Sequence, residues 1–241
     1  MRQKLQSAIR AIYPPECLVC RADTSDEFGL CGACWADAPF ITGLVCDGCG
    51  MPLPGQDATE TALCDSCLIA PQPWGKGRAV FLYRGSARRM ILSLKHGDRQ
   101  DLVRPMCQWL LPITHRLAGP ETLLVPVPLH ASRLFFRRYN QAALLTQALA
   151  RASGLETCPD ALKRIRKTRP QEGMPRLERQ ENQRGAFAVA AAKQPALAGR
   201  HILLVDDVMT SGATLAACAE ACFAAKAARV DVIALARVEK S

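Results

Sequence analysis

Aromatic residues make up only 5% of this 241-residue chain, and no stretch approaches the roughly 18 consecutive apolar residues that a membrane-crossing helix needs. The first shortage, set beside abundant alanine, suits helices packed closely on a sheet. The second excludes a helical membrane span. Met1 to Ile12 carries basic residues but has neither an apolar centre nor a small-residue cleavage site, so it reads as a short amphipathic helix and not as a secretory leader. The expected location is therefore cytoplasmic.

Basic residues are scarce in one part of the chain and abundant in the other. Residues 1–75 carry 4 Lys/Arg against 9 Asp/Glu and residues 76–241 carry 27 against 13, which divides the net charge of +9 into −5 and +14. A basic domain is attached to an acidic one. The basic balance favours polyanions, either nucleic acid or a phosphate-rich small molecule. Pro71-Gln72-Pro73-Trp74-Gly75 reads as the linker, giving domains 1–75 and 76–241.

Eight of the twelve cysteines fall in four C-x-x-C pairs: Cys17/Cys20, Cys31/Cys34, Cys46/Cys49 and Cys64/Cys67. With no secretion signal beside them, metal-bound thiolates in a reducing compartment explain them better than disulfides do. Two tetrahedral four-cysteine sites, with zinc as the ion, are expected. An iron–sulfur cluster and a redox-active C-x-x-C are the alternatives. Short loops close at lower entropic cost, which favours the sequential grouping 17/20/31/34 and 46/49/64/67, with a nested grouping as the other arrangement. Gly, Pro and Asp fill the intervals, so metal has to supply the folding energy that apolar burial lacks. Cys107, Cys158, Cys218 and Cys222 read as small buried apolar residues.

The chemistry is concentrated in His201 to Leu215, HILLVDDVMTSGATL. His201 to Val205 is a continuous apolar run, as in a parallel strand covered on both faces. It ends in Asp206 and Asp207. Thr210-Ser211-Gly212-Ala213-Thr214 then forms a hydroxyl-rich turn before an alanine-rich helix, about Ala213 to Ala227, whose first-turn amides and dipole suit one phosphate. The carboxylates would repel that phosphate; sugar hydroxyls are their natural partners. The run therefore reads as a cradle for a phosphorylated ribose. A solvated acidic loop and the acidic metal pocket of a receiver domain are the competing readings.

Further elements are expected around it. They are a strand at about Ala79 to Tyr83, a helix capped by Ser86 and running to Lys95, a helix from Asp101 to about Leu117 bent at Pro112, and a strand from Thr122 to Val127. A helix bearing Leu144, Leu145 and Leu149 ends at Gly154, and Val230 to Ala236 closes the sheet.

An apolar strand, Asp206-Asp207, three residues and then Ser211-Gly212-Ala213-Thr214 resembles the phosphoribosyl pyrophosphate (PRPP) motif of type I phosphoribosyltransferases. Taken with the four cysteine pairs, the chain resembles the ComF/GntX family, which is linked to uptake or use of external DNA. Arg138-Tyr139-Asn140-Gln141-Ala142 resembles that family's Arg-Gly-Phe-Asn-Gln-Ala, with Arg-Tyr for Gly-Phe. Leu94-Lys95-His96-Gly97-Asp98 resembles its Leu-Lys-(Tyr/Phe)-x-Gly, and Arg166 to Phe187 resembles its hood and flexible loop.

The resemblance implies an α/β fold, a type I phosphoribosyltransferase-like parallel sheet with helices on both faces, preceded by a small double zinc ribbon. It implies that Asp206 and Asp207 hold the ribose hydroxyls, with Asp207 assisting proton movement, and that Thr210, Ser211, Gly212, Ala213 and Thr214 bind the 5′-phosphate. Val127, Pro128 and the basic residues Arg133, Arg137 and Arg138 would meet the pyrophosphate with Mg²⁺, and Lys95 is either a pyrophosphate contact or an exposed helix end. The basic segment 163–187 is a solvated loop, a cover for polyphosphate, or a surface for single-stranded DNA. Two functions follow: a phosphoribosyltransferase acting in DNA uptake or base reuse, or a non-catalytic PRPP- or nucleotide-regulated module that contacts single-stranded DNA or a translocating helicase. A PRPP-sensing transcription factor is a weaker third reading, since no helix-turn-helix is apparent.

Overall fold

A computed structural model of the chain describes residues 14–55, 61–96, 99–129, 139–166, 168, 174 and 176–239, with backbone alone for His96, Arg176, Leu177 and Gln180. The expected N-terminal helix, Gly97-Asp98, the three arginines at 133, 137 and 138, and Arg169 to Gln171 lie outside the described residues. Five parallel strands form the main sheet in the order β1-β7-β6-β2-β3: β1 Gly77–Leu82, β2 Thr122–Pro126, β3 Glu156–Thr157, β6 His201–Met209 and β7 Arg229–Arg237. A separate antiparallel pair joins β4 Leu162–Arg164 to β5 Phe187–Val189.

Side chains alternate across a strand, so the near-continuous apolar runs of β2, β6 and β7 supply two cores at once. Leu123, Val125, Ile202, Leu204, Val230 and Val232 face one layer, built from α8 (Ala213–Ala224, which follows α6, Arg176–Gln183, and α7, Gln194–Leu197) and the β4–β5 pair. Leu124, Leu203, Val205, Ile233 and Leu235 face the other, built from α3 (Gly85–His96), α4 (Val103–Leu117) and α5 (Gln141–Ser153). This is the expected α/β architecture. Cys107, Cys158, Cys218 and Cys222 are all buried within it.

Several boundaries differ from expectation for local reasons. β6 does not stop at Val205 but pairs through Met209, because β7 is equally long and offers Ala234, Ala236 and Arg237 as partners to Asp206, Val208 and Met209. The acid pair therefore lies within the strand. Helix α8 ends at Ala224 rather than Ala227: Lys226 takes a left-handed φ of 67°, and the amides of Lys226 and Ala227 fold back to the carbonyls of Phe223 and Cys222. Ser86 does not cap α3; its hydroxyl donates to Asp37 Oδ2 at 2.7 Å, tying the helix start to the N-terminal module. A 3₁₀ turn at Gln100–Leu102 precedes α4, and Pro112 lies inside that helix. Asn140 caps α5 by accepting from the Ala142 amide at 3.0 Å, and Gly154, at φ 74°, ends it.

At the amino-terminal edge of the sheet His201 bridges Thr122 Oγ1 at 2.9 Å and the buried Asp231 at 3.0 Å. Asp231 also accepts from the Lys76 amide at 2.6 Å, which pins the end of the linker to β7. The N-terminal module contributes α1 (Gly32–Ala36) and α2 (Asp65–Ile69), and packs Leu18 and Ala38 against the helical core.

Leu203, wholly buried on β6, sits where both neighbouring strands pass. Leu203→Ala is expected to lower stability by about 2–5 kcal/mol in denaturant titration of the metal-loaded protein. A loss below about 1 kcal/mol would contradict the central place given to β6.

Candidate functional site

The carboxyl ends of β2 and β6 lie side by side, and the chain leaves them in opposite directions. From β2 it runs through α5 to the edge strand β3; from β6 it runs through α8 to β7 on the other flank. Open parallel sheets receive ligands at such a divergence. A cleft of about 220 Å³ opens there, lined by Lys95, Val127, Pro128, Asp206, Asp207, Thr210 and Thr214. Ser211, Gly212 and Ala213 do not line it: Ser211 is 9% exposed, and Ala213 faces a separate cavity of about 670 Å³ beside Pro71, Gln72 and Pro73. The Thr210–Thr214 turn thus divides two cavities.

Adjacent residues on a strand point to opposite faces, so the two carboxylates meet different surroundings. Asp207 lies on the α3 side, where its Oδ1 pairs with Lys95 Nζ at 3.1 Å; the two side chains are 14% and 17% exposed. Lys95 is therefore a cation held in the cleft and not a free helix end. Asp206 accepts from the Asp207 amide at 2.8 Å. Burial and the negative charge of Asp207 push its carboxyl up to about 8, against the weaker pull of that amide and of Lys95.

Other cleft residues were not singled out as ligand contacts by sequence reasoning. Asn140 donates to Val127 O at 3.0 Å, fixing the β2 loop to the start of α5. Gln141 is 1% exposed and lines the cleft, and its Nε2 has no partner among the described residues. Arg164 and Thr168 close the far wall, with Arg164 donating to Thr168 and, at 3.0 Å, to Gln183. Arg237, 1% exposed, donates to the carbonyls of Met209, at 3.0 Å, and of Thr210. It makes no ion pair with a described carboxylate and ties the start of the turn to the end of β7. In sequence it is only an arginine ending an apolar strand; its place beside Met209 of β6 comes from the strand pairing.

In the N-terminal module Cys17, Cys20, Cys31 and Cys34 come together, as do Cys46, Cys49, Cys64 and Cys67, with the sulfurs of each group within 4.8 Å of one another. The grouping is sequential rather than nested. None of the twelve cysteines is in a disulfide. Against burial, the backbone amides of Cys20 and Cys31 bring the Cys17 thiol down to about 6, while burial and neighbouring thiols push Cys34 up to about 12. Backbone and thiol hydrogen bonds outweigh burial to bring Cys64 to about 7, and burial with the charge of Cys49 pushes Cys67 up. Crowded thiols split in this way because they cannot all ionise without a cation among them. Four sulfurs at this spacing suit tetrahedral zinc.

A profile of the double zinc ribbon domain matches residues 8–68, and one of the phosphoribosyl transferase domain matches residues 140–241. The chain is 32% identical over 231 residues to the DNA utilization protein YhgH of Escherichia coli K12, covering 93% of this chain and 97% of that one. It belongs to the ComF/GntX family. Competence protein F of Haemophilus influenzae, in the same family, is 31% identical over 83% of this chain and 86% of its own. Competence protein ComFC of Bacillus subtilis is 26% identical over 77% and 74%. No helix among the described residues of this ComF/GntX chain is long and apolar enough to cross a membrane.

Two predictions come from these charges. An acid raised from 3.8 to about 8 on folding stabilises the fold below pH 3.8 and loses that contribution as pH climbs to about 8. Asp206→Asn should therefore gain stability relative to the parent across this window, by up to about 1.4 kcal/mol per pH unit. Parallel unfolding curves from pH 4 to 8 would refute the burial of that charge. Metal analysis should return about two zinc per chain, and chelation should melt residues 14–69 before the sheet; folded protein free of metal would overturn the zinc assignment.

Proposed function

We propose that the cleft binds PRPP. In this reading Asp206 and Asp207 hold the ribose 2′- and 3′-hydroxyls, and the 210–214 turn, with Thr210 and Thr214 facing the cleft, takes the 5′-phosphate. Lys95 and the Val127-Pro128 backbone meet the pyrophosphate. The observation that carries this reading is the joining of an acid pair, a lysine and a hydroxyl-lined helix start in one cleft at the sheet's divergence. Each group suits one part of a phosphorylated sugar and repels or ignores the others.

The carboxylate oxygens also suit Mg²⁺, which is ordinarily held by one or two carboxylates together with substrate phosphates. When bound it would balance the charge of departing pyrophosphate. The chain's own residues position the sugar: Lys95 exchanges Asp207 for a phosphate oxygen, and Asp207, released, accepts a hydrogen bond from a ribose hydroxyl. Positioning and electrostatics of this kind are the main source of rate in displacement at an anomeric carbon.

The reaction class we infer is phosphoribosyl transfer, in the use of external DNA or reuse of its bases. The names of its relatives, DNA utilization and competence proteins, support that setting. Residues 1–75 act as the zinc module and 76–241 as the transferase-like domain.

A second reading is favoured by the charge division. The same cleft acts as a regulatory PRPP or nucleotide site, and single-stranded DNA or a DNA-translocating helicase is met elsewhere on the chain. Between Arg21 and Lys76 lie eight Asp/Glu and no Lys/Arg. Any nucleic acid would therefore meet the basic segment 163–187 and not the ribbons.

The double variant Asp206→Ala/Asp207→Ala should lose PRPP binding by calorimetry while keeping its fold and zinc; undiminished affinity would refute the ribose assignment. Pyrophosphate release from PRPP, assayed with a panel of bases and short DNA, separates the readings. Turnover supports the transferase, and retained binding without turnover supports the regulatory module.

A further inference from the structure

We infer that Trp74 is a positioning residue that couples the second four-cysteine site to the Thr210–Thr214 turn. The inference rests on the reading of that turn as the 5′-phosphate site, and it adds that the site's shape depends on the metal knuckle behind it.

The indole is 6% exposed and is engaged at both ends. Its Nε1 donates to Gly48 O at 2.7 Å. Gly48 belongs to the Cys46–Cys49 knuckle, and a Cβ built on it would lie 3.2 Å from Cys67 Sγ, so this carbonyl sits on the metal-binding group itself. At the other end of the ring, Cη2 would lie 3.0 Å from a Cβ at Gly212, which adopts φ +83° in the middle of the turn. A side chain at a second glycine would also crowd this ring. A Cβ at Gly77 would come within 2.7 Å of Gly48 O and 3.2 Å of Nε1. The glycine of the turn thus admits an indole from behind, where the sequence alone suggested room for a ligand in front.

The ring has little freedom to absorb a shift in the knuckle. Immediately after it, Gly75 N donates to Val230 O at 2.9 Å and Lys76 N to Asp231 at 2.6 Å, fixing the backbone to β7. The knuckle is held to β1 by Gly77 N donating to Asp47 O at 2.7 Å and by Arg78 paired with the Asp47 carboxylate. Closed by metal, this assembly is a rigid strut between a sulfur cluster and a phosphate turn. Opened, the knuckle loses the geometry that holds Gly48 O on the indole, and the ring is no longer fixed against Gly212. The first four-cysteine group leans on the sheet elsewhere, through Leu18 and the Ile41 amide bonded to Val80 O, so it has no such path.

Coupling between two binding sites is reciprocal. If metal in the second group shapes the turn, a ligand in the turn must tighten that metal by the same factor. The experiment uses the full zinc-loaded chain and its Trp74→Phe variant, whose shorter ring loses both the N–H to Gly48 and the distal edge that meets Gly212. Trp74→Phe is expected to retain both zinc ions and the fold while binding PRPP about tenfold more weakly, toward the lower end of the range usual for such coupling. In the parent, saturating PRPP should slow the loss of one zinc per chain to a chelator and leave the other unchanged; in Trp74→Phe neither should respond. Parent-like PRPP affinity in the variant, together with zinc release indifferent to PRPP in the parent, would overturn the coupling.

Failure of the phosphate reading is seen separately, as absence of PRPP binding in the parent itself. The coupling is then decided by amide hydrogen exchange in the parent, which also serves if the variant does not fold. Faster exchange across 210–214 when one zinc is withdrawn supports it, and unchanged exchange overturns it.

Discussion

Two carboxylates on adjacent residues of one buried strand cannot share an environment, and the site is built on that constraint. Strand geometry sends Asp207 to the face where α3 brings Lys95, and Asp206 to the face covered by α8, where no cation pairs with it among the described residues. One acid is balanced by an ion pair of about 3.1 Å; the other is left with burial and its neighbour's charge, and holds its proton toward neutral pH. A protonated Asp206 can donate a hydrogen bond beside the ion-paired Asp207. Such a pair meets vicinal hydroxyls better than two equivalent carboxylates would, since each hydroxyl both donates and accepts. The arrangement requires β6 to remain paired through Met209, and so requires the long β7 beside it.

Much of this was legible because the informative residues are consecutive. The run from His201 to Thr214 announces strand, acids, turn and helix in one reading direction, and the apolar content of β2, β6 and β7 announces a sheet covered on both faces. The four cysteine pairs were equally plain, since ligand spacing is a local property. What was not legible depended on partners remote in sequence. The ion pair of Lys95 with Asp207 spans the two ends of the domain, and local pattern offered only a helix end or a ligand contact. Ser86 reads as a helix cap by its position, yet Asp37 of the other module takes its hydroxyl. Arg237 looks like the polar end of a strand until β6 is placed beside it. Helix α8 stops early at a lysine in a left-handed turn, which alanine-rich propensity could not foretell.

The same remoteness governs how the two modules meet. A small ribbon with few apolar residues cannot form a broad hydrophobic interface, so it is attached through polar and aromatic pegs. Asp47 is the chief of these. Burial works against its charge, but the hydrogen bond from Arg78 and the charges of Arg78 and Lys76 hold its carboxyl below the usual range. Asp37 does the same on the first ribbon, taking Ser86 and Arg89 of α3. The acidity of the module thus has a structural use: each acid nearest the basic domain is spent as a contact. Glu16, Asp23, Asp26, Glu27 and Asp65 face solvent and make the ribbons a poor surface for a polyanion. The division leaves the positive charge of the chain in the basic domain, +14 against −5 in residues 1–75. Charge separation and metal folding then belong to one solution. The ribbons can be acidic because thiolates and metal, not apolar burial, hold them folded, and being acidic they clamp to the basic domain through Asp47 with Arg78 and Asp37 with Arg89.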